Sequence, residues 1–210
     1  MVLHAESAPP PGRGPREIDV LLRAFPTGKL SEIVGPSSSG GSSLLLALIA
    51  RATISGDQVA VVDAADAFDP SRADAAGVVL SRLLWVKCRG RLALAWTVAD
   101  LLVRCPGFAL IALDVGDLAN GESSARAVFR RLQLATEKSA AALVLRAPRP
   151  LAGNAAAMVV SVRRLESGWI GVPRPTRFTG LTSEVRVLRD RARSHARPRE
   201  GDLIEAGWRL

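Results

Sequence analysis

The stretch Leu30-Ser-Glu-Ile-Val34-Gly35-Pro-Ser-Ser-Ser-Gly40-Gly41-Ser42-Ser43-Leu44 decides how this chain is read. Leu30–Val34 is apolar and partly β-branched and predicts a strand. Leu44–Thr53 has almost no polar face and predicts a buried helix. Between them lies a Gly/Ser loop that leaves a strand and opens a helix. A phosphate-binding loop works in this context, because glycines turn backbone N–H groups toward an anion and the helix N-terminus adds partial positive charge. The loop follows G-x-x-x-x-G-K-[ST] except that Gly41 stands where the lysine belongs. A lysine there neutralises the outer phosphates of a nucleotide and stabilises charge during transfer. Ser42 keeps the hydroxyl that would hold Mg²⁺. Gly35, Ser39, Gly40, Gly41, Ser42 and Ser43 are therefore candidates for a degenerate phosphate site, with weak ATP and Mg²⁺ binding and inefficient hydrolysis. Lys29, the nearest lysine, precedes the strand and points from the wrong end.

Outward from the loop, strands and helices alternate. Glu17–Phe25 carries Ile18, Leu21 and Leu22 at helical spacing. Gln58–Asp63 and Phe108–Asp114 are apolar runs that each end in an aspartate. Leu83–Lys87 and Ala141–Leu145 predict two more strands. Ser71–Ala76, Arg91–Arg104 and Glu122–Ser139 predict helices, the last with Ala125, Val128, Phe129, Leu132 and Ala135 on one stripe. This pattern predicts an α/β fold with a mostly parallel central sheet flanked by helices. After residue 146 the texture changes. Met158–Leu165 and Glu184–Arg191 alternate apolar with polar residues, predicting a half-exposed antiparallel extension, with Gly168–Thr182 as a loop between them.

Charge follows the same division. The chain carries net +8, and residues 146–210 hold 13 arginines against six acidic residues. A localised basic patch suits a phosphate backbone, so Arg146, Arg149, Arg163, Arg164, Arg186, Arg189, Arg191 and Arg193 are candidate contacts to single-stranded DNA. The chain holds 25 arginines and only three lysines, so a solvated arginine-rich face is the competing reading. Cys88 and Cys105 lie apart, with no histidine at ligand spacing, and read as two small buried residues rather than a zinc site or a disulfide. No apolar run reaches the roughly 18 residues of a membrane span, and the N-terminus lacks a signal-peptide layout, so a cytoplasmic protein is expected. Residues 1–16 are expected to form a flexible tail and 17–200 one core domain. Residues 201–210 form a C-terminal segment in which Trp208 is a candidate partner anchor, aromatic residues being frequent interface hot spots.

From Phe25 to Leu118 the sequence resembles the bacterial recombinase RecA. The matching stretches are Pro26–Gly35, the Gly35–Ser43 loop, Val61-Val-Asp63-Ala-Ala-Asp66-Ala-Phe-Asp69-Pro70, Ala76-Gly-Val78 and Leu110-Ile-Ala-Leu-Asp114. The similarity resumes at Gly153-Asn154-Ala155 with Ser161-Val162-Arg163, and closes at Glu184–Arg191. The D-A-x-x-A-x-D-P string is the most specific piece. The resemblance implies a RecA-like P-loop core. It makes Asp114 the Mg²⁺-linked aspartate and puts Ala65 where RecA-type ATPases carry the glutamate that polarises water. Lysine and glutamate are thus both missing, and ATP turnover is not expected. The loop after Leu145 is too short to match RecA's long DNA-binding loop. RecA's C-terminal domain is not matched, and the helix that links RecA protomers looks truncated, which argues against a RecA-like filament.

A short RecA-like chain with a decayed ATP site also resembles ImuA, the accessory protein of bacterial mutagenesis cassettes. That resemblance implies damage-induced translesion synthesis within the SOS response. It also implies an ImuB-like polymerase-family protein, RecA and an error-prone replicative-type polymerase as partners. Three functions fit: a non-catalytic scaffold for such a polymerase complex, a weak or partner-assisted ATPase acting on DNA, and a regulator of RecA filaments.

Overall fold

The computed structural model describes residues 15–121, 126–172, 174, 176–191 and 200–209. Among the described residues, five α-helices and eight strands follow in order: α1 (Pro15–Ala24), β1 (Leu30–Val34), α2 (Gly41–Ile54), β2 (Gln58–Asp63), α3 (Pro70–Ala75), β3 (Leu83–Lys87), α4 (Leu92–Arg104), β4 (Phe108–Asp114), α5 (Arg126–Glu137), β5 (Ala142–Ala147), β6 (Met158–Ile170), β7 (Arg177–Asp190) and β8 (Leu203–Arg209). They build one sheet in the order β3-β2-β4-β5-β1-β6-β7-β8. Every pair from β3 to β6 is parallel, and β7 and β8 are antiparallel to their neighbours. The fold is the expected one: α/β, mostly parallel, with an antiparallel C-terminal extension.

Side-chain alternation divides the core between two faces. One face of β1, β2, β4 and β5 sends Leu30, Val62, Ile111 and Leu143 toward α4 and α5. There Trp96 meets Phe129 edge-on, with ring centroids 5.3 Å apart. The other face sends Ile33, Val61, Ala112 and Val144 toward α1 and α2, where Leu44, Leu48 and Ile49 cover them. Strands buried on both faces have no polar side to show, which is why their sequences are apolar throughout.

The antiparallel extension differs from expectation in two ways. First, β6 begins as a parallel strand: Ser31–Val34 pair with Met158–Ser161. It therefore joins the two halves of the sheet. Second, most of the expected loop over Gly168–Thr182 is strand. β6 runs on to Ile170 and β7 starts at Arg177. Two interactions outweigh the glycines. Trp169 and Phe178 pack edge to face at 5.2 Å, and register shifts at Arg164/Glu166 and Gly168/Trp169 absorb the irregular positions. The C-terminal segment forms β8, whose Ile204 and Ala206 are buried in the α1/α2-side core.

Other differences are smaller. Cys105 is exposed, while Cys88 is buried as expected. Helix α5 is described from Arg126, and residues 122–125 of the expected helix lie outside the described residues, as does most of the expected tail, 1–14. No helix among the described residues is long and apolar enough to cross a membrane.

Glu32 is the exception within the apolar strands. It is fully buried in β1, and its Oε1 accepts N–H bonds from Leu151 (2.8 Å) and Ala152 (2.9 Å). A side chain in the central sheet thus fastens the segment that returns from β5 to β6. Its Oε2 is buried and unpartnered. Burial pushes the Glu32 carboxyl up from its ordinary value, against the pull of those two N–H groups and of Arg189. The folded protein therefore holds this proton more tightly than the unfolded chain. Stability falls as pH rises from the ordinary carboxyl value through the raised one, then levels off. Glu32→Gln is expected to make that decline shallower, with the remainder set by other raised carboxyls. Urea midpoints measured from pH 4.5 upward check this; an unchanged slope would contradict it.

Candidate functional site

The sheet's C-terminal edge is a row of polar residues on the α2 face. Register places Lys87 beside Asp63, Asp63 beside Asp114, Asp114 beside Arg146, and Arg146 beside Ile33. Each is the last or next-to-last residue of its strand. Neighbours in register share a face, so Asp63, Asp114 and Arg146 all lie on the α2 side of the sheet. In open α/β sheets this edge is where ligands bind.

The Gly/Ser loop closes over this row. Gly35 continues β1, and its N–H donates to Ala147 O at 3.1 Å. A Cβ on Gly35 would stand 2.2 Å from Val162 O, so no other residue fits between β1 and β6. Ser38 and Gly40 take left-handed conformations, with φ of 61° and 102°. Ser37 Oγ donates to Asp117 Oδ2 at 2.6 Å, tying the loop to the turn after β4. Ser39 is buried with its Oγ unpartnered, while its carbonyl accepts from Ser183 Oγ of β7 at 2.7 Å. Gly40 and Gly41 are buried, Ser42 is exposed and Ser43 half-buried. The loop therefore has the strand–turn–helix form that the sequence predicts, supported from β4, β6 and β7. Lys29 lies at the far end of β1 and pairs with Glu137 at 3.3 Å.

The acidic residues have separate tasks. Asp63 accepts N–H bonds from Ala67 and Phe68, at 3.0 and 3.1 Å, and from Trp85 Nε1 at 3.3 Å. It shapes the turn that carries Ala65. Asp66 has φ 58° and an ion pair to Lys87 at 3.7 Å. Asp69 caps α3, accepting from Ser71 N at 2.9 Å, with Pro70 in the first turn. The D-A-x-x-A-x-D-P string is thus a sequence of local backbone locks. Asp114 meets the guanidinium that lies against the loop. Its Oδ1 accepts from Gly116 N at 2.9 Å and pairs with Arg146 Nη1 at 3.3 Å. Burial raises the Asp114 carboxyl above its ordinary value, opposed chiefly by Arg146.

Arg146 is accordingly removed from the set of surface DNA contacts: it is 6% exposed and committed to Asp114. Its charge serves the core, because an aspartate buried at a strand end needs a cation. Arg149 is exposed on the turn after β5, with Nη2 bonded to Ala119 O. Arg163, Arg186 and Arg189 share one face of the β6–β7 ribbon, that of Val159 and Ser161. Arg163 pairs with Glu184 at 3.1 Å, and Arg189 bonds Gly153 O. Arg191 follows β7 and holds Asn154 through O and Oδ1. Arg164 is opposite Ser183, on the α2 face. Arg193 lies outside the described residues. Trp208 is paired with Leu181 in β8, the outermost strand.

The sequence reading missed the role of Arg146, though a signal was present. Arg146 is the one charged residue in the run Ala142–Ala147, at the same strand level as two aspartates. Ser37–Asp117 and Ser183–Ser39 join residues too far apart in the chain for any motif to couple them.

A parallel sheet with a Gly/Ser loop between its first strand and the following helix defines a P-loop α/β domain. Residues 12–126 match the RecA N-terminal domain, and the chain belongs to the RecA family, a family of DNA recombination and repair proteins. It is similar to RecA of Streptomyces ambofaciens, at 38% identity over 104 residues, covering 48% of this chain and 27% of that one. RecA of Methylococcus capsulatus is 39% identical over 103 residues, 48% of this chain and 29% of that protein. RecA of Borrelia hermsii is 38% identical over 90 residues, 43% and 25% of the respective lengths. The chain thus matches less than a third of each of these proteins.

A magnesium-bound nucleotide, which a P-loop ordinarily takes, would meet two differences here. Position 41 offers no ammonium for the outer phosphates. The carboxylate that would face the metal already holds a guanidinium.

The Arg146–Asp114 pair makes a clear prediction. Removing one partner of a buried pair leaves the other charge uncompensated. Arg146→Met is expected to cost about 3–5 kcal/mol of unfolding free energy. Adding Asp114→Asn should recover most of that loss. Urea unfolding of the single and double variants measures both effects, and a single variant as stable as the parent would disprove the pair's role.

Proposed function

We propose that this chain is a non-catalytic RecA-family accessory protein in DNA repair, acting in damage-induced translesion synthesis as a scaffold for a polymerase complex. The observation that carries the reading is the state of the loop. Gly41 stands at the lysine position of the motif, the resemblance to RecA puts Ala65 at the position of the water-polarising glutamate, and Asp114 is engaged by Arg146. A RecA-family domain so altered lacks the charged groups that phosphate transfer uses.

The resemblance to ImuA supplies the partners of this reading: an ImuB-like polymerase-family protein, an error-prone replicative-type polymerase and RecA itself. Single-stranded DNA contact is assigned to Arg163, Arg186 and Arg189 on one face of the β6–β7 ribbon, with Arg149, Arg164 and Arg191 nearby. Partner contact is assigned to β8 around Trp208. Because Ile204 and Ala206 of β8 belong to the core, deleting 201–210 would disturb folding. Trp208→Ala is the cleaner probe.

Binding of the purified chain to labelled single-stranded DNA across a salt series tests the reading. Affinity is expected to fall steeply with salt and to ignore ATP. Each phosphate contact on a single strand contributes about 0.7 to the slope of log affinity against log salt. Changing Arg163, Arg186 and Arg189 together to alanine should therefore lower that slope by about 2. Binding that ignores salt would remove the DNA assignment, and ATP-dependent binding would revive an ATPase.

A further inference from the structure

Three observations meet at Arg146. It is the only charged side chain of β5, and it turns toward α2 rather than toward water. Its stem lies against the loop: a Cβ built on Gly41 would stand 3.6 Å from Nε and 3.9 Å from Cγ of Arg146. Its Nη1 is 3.3 Å from Asp114 Oδ1, and Nε is buried without a partner. The absence of a side chain at position 41 and the presence of one at 146 are therefore two halves of one arrangement. An alanine at 41 would make ordinary van der Waals contact with Arg146. A lysine would start from a Cβ already in contact with Arg146 and bring a second cation close to the guanidinium.

We propose that Arg146 is the specificity-determining residue of this loop: it takes the place of both the lysine and the metal, and so excludes magnesium-bound nucleotides. In a working P-loop, the lysine balances the outer phosphates, and the metal, held near the strand-end acid, bridges them. Here one guanidinium, delivered from the neighbouring strand, neutralises Asp114 and braces the first turn of α2. The loop then keeps its shape from internal contacts: Arg146 below, Ser183 at Ser39 O, and Asp117 at Ser37 Oγ. Loss of the lysine at 41 is in this view compensated by the arginine at 146. The inference rests on the reading of the chain as a RecA-family protein that does not turn over ATP, and it names the residue responsible.

The arrangement predicts reversal. In Gly41→Lys/Arg146→Ala, the new ammonium inherits both the space and the carboxylate. Arg146→Ala alone should be destabilised, because Asp114 loses its cation. The added lysine should restore much of the lost thermal stability. By titration calorimetry, the wild-type chain should give no saturable heat with about 1 mM MgADP, and the double variant should bind about tenfold more tightly or better. Saturable MgADP binding by the wild type that Arg146→Ala abolishes would overturn the proposal, making Arg146 a ligand-binding group. A folded double variant with no gain in binding would overturn it too. Should the double variant not fold, amide exchange across 35–43 in the wild type decides. Rates unchanged by MgADP support the internal occupant, and slowed exchange refutes it. Salt-dependent DNA binding measured on the same wild-type sample reports separately on the proposed function, so either reading can fail without the other.

Discussion

A buried carboxylate at the end of a central strand must find a cation or give up its charge. In this sheet Asp114 finds Arg146 on the adjacent strand, and much of the local architecture follows from that pairing. The register between β4 and β5 puts the two side by side. The arginine's stem runs close under Gly41 at the start of α2, and the turn after β4 donates Gly116 N–H to the same oxygen. Because desolvation and attraction oppose each other, such a pair adds little net stability, but losing either member is costly. The pair acts as a constraint on register and loop shape more than as a source of stability.

The parallel half was legible because its strands are short, apolar and bounded by turn residues. β1, β2, β3 and β4 begin and end at the residues the patterning marks. The helices were legible to within a few residues, the starts being least certain: α2 begins at Gly41, inside the Gly/Ser loop, since a helix N-terminus needs no side chain where the backbone itself is anchored. The β6–β7 ribbon was harder. Its glycines and prolines read as loop, while Trp169–Phe178 contact and the bulges hold it as strand. Pairings of that kind depend on partners across the hairpin, which period counting along one segment does not register.

The site was legible by motif and misleading by charge. Gly41 of the loop and Asp114 each lie against Arg146. Arginine counts placed Arg146 with the surface set, since a tally of charge carries no information about burial. Its neighbours in the run Ala142–Ala147 did carry it: a lone charge in a segment buried on both faces must be paired. Asp63 and Asp69 show the same lesson. Both belong to the most RecA-like string, and both spend their oxygens on nearby backbone N–H groups.

The placement of β1 has a consequence for how the chain reaches its final form. β1 lies between β5 and β6, so Leu30–Val34 is synthesised long before either neighbour. Gly35 likewise rests on Val162, and Ser39 on Ser183. The loop at the head of α2 is therefore among the last features to settle, although it is nearly the first part of the domain to be made. Contacts this distant in sequence slow folding, because the intervening chain must be ordered before they form. While the nascent chain waits, the apolar edge of β1 is without its partners, and it is in that interval that the protein is most open to mispairing.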